Sequence, residues 1–305
     1  MKNTKLILVS LFLLCGTFFN ALFAAHHGAK LPARLEVGER PESITKGFDG
    51  DYFVTVMNGK EEGDGVVKRI HGSKVTIFAT GLDEPKGICF VGGYLFTTDL
   101  KKVRQIDSKG NVTILADTDD FPLPVSYLND AAAAPEGDAI YITDMGANTQ
   151  MFKEPGALWP IGSNEYKSMP VIGRVYKIHL NGTISISINS NGLMTNPNGV
   201  GVGKDGQLMV GAFFKGNVLE QTDLGLSVIG HGMRGADAVE QDSQGNYYVS
   251  SWSQAKVWKI DAADHNVTIL AEGLQSAADF YLEEDKGRLL LPDMKAGVVI
   301  TVPIQ

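Results

Sequence analysis

Hydrophobic positions in this chain fall in short alternating runs, and one arrangement of those runs recurs. Each copy holds a small or proline-containing tripeptide, an alternating apolar run, a Gly/Asp turn and a second β-rich run. The copies are Pro41-Glu-Ser-Ile44 before Tyr52–Val56, Pro85-Lys-Gly-Ile88 before Tyr94–Asp99, and Leu128-Asn-Asp-Ala131 before Ala139–Asp144. Three more follow: Pro197-Asn-Gly-Val200 before Gln207–Val210, Ala236-Asp-Ala-Val239 before Asn246–Ser250, and Ala277-Ala-Asp-Phe280 before Arg288–Pro292. The second tripeptide residues stand at 42, 86, 129, 198, 237 and 278, so the intervals are 44, 43, 69, 39 and 41. Two further β-like runs lie between copies, as in Lys102–Asp107 and Asn111–Ala116, joined by Gly, Asp and Asn turns that tolerate positive φ. Four strands every ~40 residues describe a propeller blade, and six copies make an all-β, six-bladed β-propeller. Two stacked sheets would not explain one plan repeated six times.

The pattern also predicts how the ring closes. After the last tripeptide only three strand-like runs remain, ending at Val298–Val302, whereas every other copy has four. Ala33-Arg-Leu-Glu-Val37 precedes Pro41 as Lys74–Phe78 precedes Pro85, so this N-terminal strand is expected to complete the C-terminal blade and remove an exposed edge. The 69-residue interval carries an insertion at about 145–172, containing Met151, Phe152, Trp159 and Tyr166. It follows a second strand, which puts it over one channel mouth as a lid that sets substrate size and polarity.

Composition adds a compartment. Residues 1–24 carry Lys2 and Lys5, an apolar run from Leu6 to Leu14, and a small residue, Ala24, at the exit. These are the marks of a secretory signal peptide, so the expected mature protein is residues 25–305, a single domain that is periplasmic or secreted. Cleavage after Ala24 would leave 281 residues, change the net charge from −8 to −10, and leave Cys89 as the sole cysteine, without an internal disulfide. Cys89 lies in an apolar run and reads as a buried small hydrophobe. The acidic balance and absence of a basic block exclude a nucleic-acid partner, and no second stretch is long and apolar enough to span a membrane.

In a propeller the first strand of each blade lines the central channel. The second residues of the tripeptides, Glu42, Lys86, Asn129, Asn198, Asp237 and Ala278, should therefore face the axis at one mouth. Two carboxylates and two amide oxygens on one axis suit a hard divalent cation, most plausibly Ca2+, and the set lacks the His and Cys that zinc or copper would use. The same residues would also serve as a water-filled polar mouth with Lys86 paired to Glu42 or Asp237. Asp99, Asp144 and Asp293 each end a second strand on this face, where Asp also fits as a turn cap. His231 and Arg234 lie just before Asp237, making His231 the candidate histidine for proton transfer.

The set Glu42, Leu128-Asn-Asp130, Asn196-Pro-Asn-Gly199 and Asp237, each heading an inner strand, resembles the senescence marker protein-30/gluconolactonase family and related calcium-dependent lactonases. The resemblance implies a metal held by Glu42, Asn129, Asn198 and Asp237, and hydrolysis of a lactone or other ester; with a metal present, Asp237 or another carboxylate of the same mouth would act as general base. Substrate contacts then fall to Tyr127, Lys86, Trp159 and Arg234. Gly38-Glu39-Arg40-Pro41 also fits the family's first-blade motif, so Glu39 competes with Glu42 for the ligand role. Sugar lactonases of this family usually carry an Arg two residues before the blade-three Asn, and this chain has Tyr127 there. The alternative function is a non-catalytic propeller that binds a small ligand or a protein.

Overall fold

The computed structural model describes residues 31–59 and 61–304; the expected signal peptide lies outside the described residues. Six four-stranded antiparallel sheets form a six-bladed propeller. The inner strands of blades one to five are Pro41–Lys46, Pro85–Val91, Leu128–Ala133, Pro197–Val202 and Ala236–Gln241. Their partners, the second strands, are Tyr52–Val56, Tyr94–Asp99, Ala139–Asp144, Leu208–Ala212 and Tyr247–Ser251. In blade six Tyr281–Glu283 pairs with Arg288–Asp293, which pairs with Val298–Pro303.

The N-terminal strand Arg34–Glu36 closes blade six, with Arg34 opposite Ile300 and Glu36 opposite Val298. Blade faces then pack on one another: Ile44, Val54 and Val56 of blade one cluster with Leu290 and Val299 of blade six. A polar tie crosses the same seam. The fully buried Glu283 carboxylate accepts from the Tyr52 hydroxyl at 2.5 Å and pairs with Arg288 at 2.6 Å. A buried carboxylate held this way is tolerable because each oxygen has a donor.

Each of the first five blades has the same irregularity at its head. Pro41 pairs with Val56 but Ile44 with Val54, so three steps on the inner strand match two on its neighbour. The shift recurs at Pro85/Ile88, Leu128/Ala131, Pro197/Val200 and Ala236/Val239. One extra residue per inner strand is a β-bulge, which re-aims a side chain. The bulged residues include Glu42, Lys86, Asn129, Asn198 and Asp237.

Second-strand hydroxyls tie the ring positions of blades three, four and six to the preceding blade. Thr143 Oγ1 donates to the Asn198 carbonyl at 2.6 Å, and Ser250 Oγ donates to the Ala278 carbonyl at 2.8 Å. Thr98 Oγ1 donates likewise to the Asn129 carbonyl. Blade four has Gly211 at the matching place, and there the backbones close in directly: a Cβ added at Gly199 would sit 1.6 Å from the Asp237 carbonyl oxygen. Gly199→Ala should therefore cost at least about 3 kcal/mol, the upper end for forcing an extra carbon into a packed core. Thermal unfolding checks this, and a melting temperature unchanged from wild type would contradict the close approach.

Candidate functional site

The bulges deliver five of the six ring side chains to one cavity. Glu42, Lys86, Asn129, Asn198 and Asp237 all line a pocket of about 670 Å3 at one mouth of the channel. All are buried, none more than 7% exposed, and Ala278 contributes no donor. Glu39, by contrast, is exposed and outside this pocket, so Glu42 is the first-blade carboxylate that the structure brings into the ring.

The four proposed ligands share one property. Glu42 Oε2, Asn129 Oδ1, Asn198 Oδ1 and Asp237 Oδ1 are each buried with no hydrogen-bond partner. Leaving a buried polar atom unpaired costs ~1–3 kcal/mol, so four converging on one channel mouth call for a common partner. Asn129 is oriented for that, because its Nδ2 donates to Met145 Sδ at 3.0 Å and frees the oxygen for the channel. Burial also pushes the Glu42 carboxyl up to about 7, against the pull of Lys86, and raises Asp237 well above the usual carboxylate range with help from Glu42 and Asp130. Both shifts describe carboxylates that lack a compensating charge. The residues fit a hard divalent cation: all four donors are oxygens and two carry charge. No group of three or more His, Cys, Asp or Glu side chains able to hold a metal occurs among the described residues, consistent with a set that is half amide.

Lys86 is arranged differently from the ion pair expected for a water-filled mouth. Its ammonium contacts Met57 Sδ at 3.2 Å and stands 5.4 Å from the Tyr127 ring centroid. Neither Glu42 nor Asp237 reaches ion-pair distance of it. Tyr127 donates instead to Glu84 at 2.9 Å, and Glu84 pairs with Arg40 at 3.4 Å. Burial works against the Lys86 charge, but Tyr127, Glu42 and Glu84 outweigh it and keep the ammonium protonated.

Above the polar ring lies a second, apolar one that sequence reasoning missed. Met57, Met145, Phe213, Trp252 and Met294 each follow the second strand of a blade and line the pocket. Each is placed by one backbone bond, from its own N–H to the carbonyl two residues before the ring residue: Met57 to Arg40, Met145 to Tyr127, Phe213 to Asn196, Trp252 to Gly235 and Met294 to Ser276. The signal was present, since a large apolar residue follows every second strand, 14 to 16 residues after the ring position.

The strand-end acids are structural. Asp99 accepts from the Asp83 and Glu84 N–H groups, Asp144 from Ser126, Tyr127 and Gly146, and Asp293 from Gln275 and Ser276. Three other sequence candidates lie off the cavity. His231 is exposed and does not line it. Arg234 turns outward to donate to the Phe214 and Trp159 carbonyls at 3.1 and 2.9 Å, with its guanidinium over the Tyr166 and Phe214 rings. Trp159 thus takes part through its carbonyl as an anchor of the insertion, and it too lies outside the cavity lining. Other insertion residues, Asn148 to Gly156, do form part of that lining, and Met151 and Met169 pack with Phe213 and Phe214.

No protein-family model matches the chain, and no curated protein matches it in sequence. Among solved structures, a gluconolactonase from Xanthomonas campestris shares the fold at 15% identity and a TM-score of 0.65, with 92% of each chain covered. One chain of a nidogen/laminin complex is 18% identical at a TM-score of 0.57, over 76% of this chain and 79% of that one. A catalytically inactive virginiamycin B lyase from Staphylococcus aureus, with quinupristin, is 12% identical at 0.56, over 89% and 98%. The class is therefore a six-bladed propeller of gluconolactonase-like architecture, a fold that these neighbours put to unlike uses.

The anchoring of the insertion can be checked by itself. Arg234→Met removes two charged hydrogen bonds and should destabilise the protein by about 2 kcal/mol. Limited proteolysis should then cut within residues 148–168 before the blades are attacked, whereas an unchanged cleavage pattern would contradict the anchor.

Proposed function

We propose that the protein is a metal-dependent hydrolase of lactones or related esters, working with a divalent cation, most simply Ca2+, in the mouth of the channel. The observation that carries this reading is the convergence of four buried, unpartnered oxygens from Glu42, Asn129, Asn198 and Asp237. Glu42 and Asp237 would supply the charge that balances a divalent ion, and the two amides would complete the hold with neutral oxygens. A bound cation supplies Lewis acidity, polarising an ester carbonyl and easing charge build-up on its oxygen. Asp237 is the ring carboxylate assigned to take a proton from the attacking water, since His231 lies away from the cavity. The rim of Met57, Met145, Phe213, Trp252 and Met294 would hold an apolar body and exclude bulk water from the reacting carbonyl. Tyr127 replaces the arginine of the sugar-lactonase pattern, and with this apolar rim it directs the reading toward lactones poorer in hydroxyls than sugar lactones.

Export by the segment 1–24 belongs to the same proposal, and a mature N-terminus at Ala25, read by mass spectrometry, is the expected result. The competing reading, a binding propeller without catalysis, keeps the same metal and differs in turnover. Ca2+ at 100 times its dissociation constant should raise stability by about 2.7 kcal/mol, and EDTA should reverse the gain. A panel of γ- and δ-lactones should be hydrolysed by wild type, with Asp237→Ala losing both the stability gain and at least about 100-fold in rate, as for removal of an electrostatic stabiliser. Calcium stabilisation without any lactone or ester turnover would overturn the hydrolase reading in favour of the binding one.

A further inference from the structure

We infer that Lys86 makes this site selective for a ligand carrying a single negative charge, a carboxylate borne on an otherwise apolar body. The inference rests on the cation-binding reading above and extends it to the class of ligand. An ammonium has three donors, and the hydrogen bond found for Lys86 Nζ goes to the Met57 thioether, a weak acceptor. The Tyr127 hydroxyl oxygen is its other polar neighbour, so the ammonium has no carboxylate within ion-pair distance although the side chain is only 7% exposed and lines the cavity. A buried cation so poorly paired is costly unless something else completes it.

Counting charges shows what that something is. Among the residues lining the cavity, Arg40 is matched by Glu84, which also takes the Tyr127 hydroxyl. Glu154 is exposed on the insertion, where water screens it. Glu42 and Asp237 together balance a divalent cation. Among the charged residues of this cavity Lys86 is then the one left over, walled by Met57, Tyr127 and the apolar rim, while Asp130 and Asp279 line the channel beyond the ring and not this mouth. A carboxylate there forms a charge-assisted hydrogen bond and restores neutrality, which a neutral isostere cannot do. Hydrolysis of a lactone or ester also generates one carboxylate, so the same ammonium would hold the acid product.

The test uses 4-phenylbutyrate and its amide, 4-phenylbutyramide, two ligands of one shape that differ by a charge. Ca2+ binding is measured first, by calorimetry, on wild type, Lys86→Met and Lys86→Arg. All three should bind the ion, and Lys86→Met should bind it more tightly, because a neighbouring like charge has been removed. With Ca2+ present, wild type and Lys86→Arg should prefer the carboxylate to the amide by at least about tenfold, as expected for a charged hydrogen bond. Lys86→Met should show less than about a threefold preference. If wild type does not bind Ca2+, the metal reading fails and takes the charge count with it. If Ca2+ binds and Lys86→Met keeps the full carboxylate preference, the cation alone reads the charge and the role of Lys86 is overturned.

Discussion

Four buried oxygen atoms without partners, all on side chains that line one mouth of the channel, are the constraint on which this structure turns. Burying each costs about as much as a hydrogen bond returns, and the surrounding fold does nothing to relieve them. Asn129 could have been turned to bond a neighbour through its oxygen; instead its amide nitrogen is tethered to a methionine sulfur. The unpaired atoms Glu42 Oε2, Asn129 Oδ1, Asn198 Oδ1 and Asp237 Oδ1 come from four different blades. A propeller needs no such set to fold, as Ala278 at the equivalent place in blade six shows. The cation proposed for this mouth would supply the missing half of the interaction.

Holding those atoms in place falls to the backbone. The bulge at the head of the first five inner strands turns the ring residue toward the axis, and the hydroxyls of Thr98, Thr143 and Ser250 tie the carbonyls of Asn129, Asn198 and Ala278 to the preceding blade. The strand-end aspartates cap the approach to the tripeptide, their carboxylates accepting from backbone N–H groups. Closure by Arg34–Glu36 completes the arrangement, because ring geometry is only defined once the first and last blades are locked together. Above this rigid floor the apolar rim lowers the local dielectric, which would strengthen both the proposed hold on a cation and the effect of the Lys86 ammonium.

Much of this was legible in the sequence. The period of the repeat gave the blade count, the missing strand after Ala277 gave the closure, and the tripeptide register put Glu42 at the axis, while the choice between Glu42 and Glu39 as the first-blade carboxylate needed the structure. The bulge was not legible, because apolar alternation reports which face a residue takes and is blind to one extra residue in the ladder. The threonines and serines of the second strands read as ordinary β-formers, and their bonds to the next blade depend on a spacing between blades that no local pattern contains. His231, Arg234 and Trp159 were misplaced for a related reason. Nearness in sequence to Asp237 or to the insertion fixes where a backbone passes but not where a side chain points, and Arg234 points outward to the carbonyls of Phe214 and Trp159. The methionine and aromatic rim is present in the sequence as a recurring offset, yet single apolar residues after strands are common, and only the cavity they share sets these apart.

Anomalous diffraction from crystals grown with Ca2+ would show at once whether the ring holds a cation. The account predicts one strong peak on the channel axis, about 2.3–2.6 Å from oxygens of Glu42, Asn129, Asn198 and Asp237, with Lys86 still turned toward Met57. An empty ring at saturating Ca2+, with Lys86 swung in to pair with Glu42 or Asp237, would contradict it.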